Sequence, residues 1–156
     1  MKITRLITLQ LVLAVVLGPM TLAAHGGPIA IEFFNAKLGH YFLSADEPEI
    51  ASLRDNPALG WAPTGQQFAV FDRLDVSATV RPVCRFYGSV TPGPNSHFYT
   101  ANDNECSGLK ALQATIPDSE PRWNFEGIAF AAILPLDGEC ASPSPIKVFR
   151  AYNDQA

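Results

Sequence analysis

A chain of 156 residues is long enough for one domain with its own core. Hydrophobic residues make up 47% of it and charged residues 17%, which excludes an intrinsically disordered chain. Its 11 Lys and Arg are outnumbered by 15 Asp and Glu and form no basic cluster, so nucleic acid is not an expected partner.

Residues 1–24 read as a secretory signal peptide. Lys2 and Arg5 give a basic start, residues 6–17 are largely apolar, and Pro19 leads into Thr21-Leu22-Ala23-Ala24. Cleavage after Ala23 places Thr21 at the third position before the cut and is preferred; cleavage after Ala24 places Leu22 there. The apolar run is short for a membrane span, with an uncleaved anchor as the lesser alternative, and no later segment could replace it. The expected mature protein is small, acidic and secreted or periplasmic. It is one domain, residues 25–156.

Residues 29–35 are rich in Ile and Phe and predict a strand, 36–39 a turn, and 40–45 a second strand. Asp46 then predicts a helix cap, with Glu49 reaching back as in a capping box. Pro48 is tolerated in the first turn, where its missing N–H has no intrahelical partner to lose. Ile50 and Leu53 face inward, and Asn56-Pro57 ends the helix. Gly60-Trp61 opens a loop before a third strand over 66–73. The same order then recurs: a strand over 83–87, a Gly/Pro loop over 88–95 and a strand over 96–101. Asn102 caps a second helix with Glu105 three residues on, and Cys106, Leu109 and Leu112 have helical spacing. A strand over 126–134, a linker over 137–145 and a final strand over 147–153 complete the chain.

The two halves align without gaps inside each element. Glu32 and Phe34 match Arg85 and Tyr87. Phe42, Ser44, Glu49 and Leu53 match Phe98, Thr100, Glu105 and Leu109; Trp61, Gly65 and Phe68 match Trp123, Gly127 and Phe130. Residues 148–153 start a third copy, with Tyr152 matching Tyr87. The expected fold is therefore α+β, β-rich and mostly antiparallel. Two strand–strand–helix–strand units (29–73 and 82–134) are closed by a C-terminal strand from a partial third unit, 146–153.

Export permits a disulfide. Cys84 aligns with Ile31 and Cys106 with Ile50, so a pair that is Ile–Ile in one unit is Cys–Cys in the other. Joint change of this kind predicts contact and a Cys84–Cys106 bridge; Cys106–Cys140 and Cys84–Cys140 are its rivals. Cys140 is then left over, either free or joined to a partner chain. Zinc is not expected, since no Cys-x-x-Cys or Cys/His cluster has ligand spacing.

The repeated aromatics read first as core and half-buried sheet face. Alternation places Phe42, Ser44, Phe98 and Thr100 on one face, and Tyr41, Leu43, His97 and Tyr99 on the other, making His97 and Tyr99 candidates for an exposed face. No Gly-x-Ser-x-Gly or His-Glu-x-x-His motif occurs, and Glu126 has no paired carboxylate in sequence. An enzymatic alternative uses His25, His40 or His97 in acid–base chemistry or in a copper site. Cleavage after Ala24 would make His25 the terminal residue, and its amine and imidazole suit Cu(II). That alternative requires these histidines to meet each other or a carboxylate.

Arg85-Phe86-Tyr87, His97-Phe98-Tyr99-Thr100 and Trp123-Asn124-Phe125-Glu126-Gly127-Ile128-Ala129-Phe130 give the chain its family likeness. It resembles a bacterial repeat family of uncharacterised function whose members are often secreted and sometimes appended to cell-wall hydrolases. The first unit departs from the pattern: His40-Tyr41-Phe42-Leu43-Ser44 carries an extra residue, and Gly65-Gln66-Gln67-Phe68 lacks the Glu. The resemblance implies a non-catalytic surface or cell-wall binding module and names no ligand and no catalytic residue; no cofactor is expected. The ligand-binding candidates are Tyr87, His97, Tyr99, Trp123 and Glu126, and the expected partner is a cell-wall polysaccharide or another glycan.

Overall fold

The computed structural model describes residues 26–89, 93–140 and 147–150. The signal peptide, its cleavage position, His25 and the 151–153 part of the third copy lie outside the described residues. Strand β1 (Ile29–Asn35) turns into β2 (His40–Ser44), helix α1 (Glu47–Asp55) and a single 3-10 turn (Pro57–Leu59), then β3 (Trp61–Ala69). The second series is β4 (Val80–Gly88), β5 (His97–Thr100), α2 (Asp103–Thr115) and β6 (Trp123–Ile133). Among the described residues these strands form two antiparallel three-stranded sheets, ordered β2-β1-β3 and β5-β4-β6.

Both helices start where a side chain takes over the unpaired amides of the first turn. Asp46 Oδ1 accepts from Glu49 N at 3.0 Å. Asn102 Oδ1 accepts from Asn104 N and Glu105 N, each at 3.0 Å. The Glu49 carboxylate does not complete a capping box; it binds Ser44 Oγ and Arg85 instead, because a partly buried guanidinium is the stronger partner.

The third strand of each series begins earlier than the sequence predicts, at Trp61 and Trp123 rather than at 66 and 126. Gly65 and Gly127, at φ +88° and +139°, let each strand bulge instead of breaking. The register against β1 shifts between Ile31 and Phe33, and against β4 it shifts between Val83 and Cys84 and again between Arg85 and Phe86. The predicted closing strand is not formed among the described residues. Residues 147–150 join no sheet and are held by side chains, Lys147 Nζ on Glu139 at 3.2 Å and Arg150 on Glu105.

Three apolar clusters make the core. Phe33, Phe42 and Ile50 join the first sheet to α1, with Ile31, Leu53 and Trp61 packed round them. Cys84, Phe86 and Cys106 join the second sheet to α2, with Phe98, Leu109 and Trp123 packed against them. Cys84 and Cys106 are disulfide-bonded with Cα atoms 6.1 Å apart, which removes the rival pairings and leaves Cys140 as a free thiol. Ala30, Val70, Val83 and Phe130 form the third cluster, between the sheets. A bridge from Phe71 to Ala131 ties the end of the first series to β6.

Candidate functional site

The seam between the sheets gathers around Arg85. Strand pairing places Arg85 opposite Tyr99 on one side and Gly127 on the other, with His97 opposite Tyr87. Their shared face meets β2 and α1 of the first series. Arg85 Nη1 and Nη2 bind the two oxygens of Glu49 at 2.8 and 3.1 Å. Its Nε reaches Glu126 Oε2 at 2.9 Å. The guanidinium lies over Phe42, 5.0 Å from the ring centre. Glu49 also accepts from Ser44 Oγ at 2.5 Å. Burial opposes the charge of Arg85, but Glu49 and Glu126 outweigh it and raise its pKa. Burial raises that of Glu126 despite the pull of Arg85.

His97 is wedged into this seam. Its ring lies edge-on to Phe42 at 4.6 Å and beside Tyr87 at 5.2 Å. Nε2 is 3.4 Å from Glu126 Oε2, and Nδ1 is buried with no hydrogen-bond partner among the described residues. Burial, then Arg85, push its pKa down to about 4, so the imidazole is neutral at neutral pH. The phenol of Tyr99 accepts from Leu43 N at 2.9 Å and donates to Leu43 O at 2.8 Å. Burial raises the Tyr99 pKa.

Four of the five candidate residues therefore converge: Tyr87, His97, Tyr99 and Glu126. Tyr87 also donates to Asn95 Oδ1 at 2.5 Å. Trp123 sits apart, its ring 5.5 Å from Phe98 beside the disulfide cluster. The face expected to be exposed is instead covered; the His97 side chain is only 13% exposed, because β2 packs over it. His97 does meet a carboxylate. His40 lies at the start of β2 opposite Asn35 and acts on His97 only through its field. Among the described residues no three His, Cys, Asp or Glu side chains gather as a metal set.

Arg85, Glu49, Asp46 and Arg73 are not among the candidate site residues expected from sequence. Beside the seam these four, with Glu126 and Leu74, line an open cleft of about 310 Å³. Arg85 is engaged by two carboxylates there, while Arg73 makes no ion pair among the described residues. The signals for Arg85 and Glu49 were present in sequence: Arg85 lies inside the Arg-Phe-Tyr motif, and Glu49 has its match in Glu105.

A family model described as Domain of unknown function (DUF5648) matches residues 29–156. No curated protein and no solved structure matches the chain.

Proposed function

We propose that this chain, which belongs to the DUF5648 family, is an exported, non-catalytic binding module that takes a glycan, such as a cell-wall polysaccharide, in the cleft beside Arg85. The open cleft carries this reading. Its carboxylates and guanidinium are already fixed by one another, so hydrogen bonding to sugar hydroxyls costs little further ordering. Leu74, 84% exposed at the rim, offers an apolar surface for the C–H face of a sugar ring. The basic, apolar N-terminus and the Cys84–Cys106 bridge support export. Two copies of one strand–strand–helix–strand unit build the module, a reading supported by the matching strand orders and the matching Ile31/Ile50 and Cys84/Cys106 pairs.

The test is retention of the mature protein on insoluble peptidoglycan and on neutral glycans. The exposed Arg73→Ala variant is expected to bind at least about tenfold more weakly with an unchanged melting temperature, tenfold being the loss of one charged hydrogen bond. Retention unaffected by Arg73→Ala sinks the cleft assignment. A second reading, acid–base catalysis, draws on the 3.4 Å approach of His97 to Glu126. It predicts glycan turnover by the wild type that Glu126→Gln abolishes. Its copper form needs His25, which lies outside the described residues.

A further inference from the structure

Two arginines in this molecule are held in the same way. The receptor for Arg85 is built from Phe42, the hydroxyl of Ser44 two residues on, and Glu49 at the third position of α1. The receptor for Arg150 is built from Phe98, Thr100 and Glu105 with the same spacing, Glu105 again third in its helix. The strand hydroxyls bind the amide of the helix cap alike, Ser44 from Asp46 N at 3.1 Å and Thr100 from Asn102 N at 3.0 Å. Arg150 grips Glu105 through Nη1 at 2.9 Å and Nη2 at 3.3 Å, and its Cζ lies 4.5 Å from the centre of the Phe98 ring. Nη1 also donates to Tyr99 O at 3.0 Å.

The two differ in what carries the arginine. Arg85 belongs to the central strand of a sheet and its side chain is 17% exposed. Arg150 lies on residues that join no sheet and is 49% exposed. The first arginine is locked in by its strand, whereas the second is held, among the described residues, by its side-chain contacts. We infer that the Phe98–Glu105 face is a docking surface for an extended, arginine-bearing segment, and that the chain fills it in cis with residues 147–150.

Recognition comes from a bidentate carboxylate–guanidinium pair over an aromatic face, which lysine cannot reproduce. A tethered segment competes at millimolar effective concentration, so the intact chain excludes outside peptides and loss of Arg150 admits them. This surface is separate from the glycan cleft, and its test involves no glycan.

The experiment uses the ¹⁵N-labelled full chain, wild type and Arg150→Ala, titrated with a peptide of residues 147–153. In the variant the amides of Tyr99, Asn104 and Glu105 are expected to shift while the rest of the spectrum stays in place. The peptide then returns those amides toward their wild-type positions. Binding to the wild-type chain is at least tenfold weaker, and the peptide with alanine in place of its arginine binds neither. Arg150→Lys leaves the amides shifted, and Glu105→Gln in the Arg150→Ala background abolishes the titration. Unmoved amides in Arg150→Ala, or equal binding by the arginine-free peptide, overturns the assignment.

Discussion

Arg85 holds two carboxylates that would otherwise repel each other across the seam. Removing such a partly buried ion costs more than the pair contributes, because Glu49 and Glu126 would be left without their counter-ion. His97 beside it is the seam's titratable weak point. Its folded pKa of about 4 lies below the ordinary 6.5, so the unfolded chain takes up its proton first. Stability from the neutral imidazole is complete above about pH 6.5 and declines as pH falls toward 4. The raised pKa of Glu126 acts in the opposite direction. Urea unfolding of the wild type is expected to lose about 2 kcal/mol between pH 7.5 and pH 5. His97→Gln, which carries no titrating ring, should lose clearly less over the same interval. Parallel pH profiles for the two proteins would mean that His97 is not what makes the fold acid-sensitive.

Elements were more legible in the sequence than contacts. The first six strand runs, both helix caps and the disulfide pairing follow from local pattern and from the alignment of the two halves, whereas residues 147–150 of the expected closing strand join no sheet. The starts of β3 and β6 did not follow, since Gly65 and Gly127 mark a bulge as readily as a turn. The Cys84–Cys106 bridge joins β4 to α2 where Ile31 and Ile50 pack β1 on α1. Cross-link and packing can be separated by substitution. Replacing both cysteines with isoleucine removes the constraint on the unfolded chain, about 3 kcal/mol for a loop of this size. Replacing both with alanine should cost a further ~1–2 kcal/mol through the cavity it leaves. Denaturant midpoints of the two double variants provide the measurement. Equal midpoints would show that this site is not packed like its isoleucine counterpart.

At the scale of the whole molecule, the sequence pattern stops at the seam. Alternation assigned His97 and Tyr99 a face of their own, but nothing local reports that a second sheet covers it. Arg85 and Glu49 are 36 residues apart, and only the tertiary fold brings them together. The covering is specific because β2 and β5 are edge strands of their sheets, and an open edge presents unpaired N–H and C=O groups. Leu43 is such a position, and the Tyr99 phenol satisfies both its N–H and its C=O. One hydroxyl from the second sheet thus closes the edge of the first. Tyr99→Phe keeps the ring in the central cluster and removes only that hydroxyl. Two partly buried backbone groups then lose their partner, at a cost of about 2 kcal/mol. The loss should be local in hydrogen exchange, with the Leu43 amide exchanging at least tenfold faster while amides of β4, the central strand of the second sheet, keep their protection. Unchanged exchange at Leu43 would mean that the edge is closed by something other than Tyr99. Uniform acceleration across both sheets would make Tyr99 a determinant of global stability rather than the fastening of one sheet to the other.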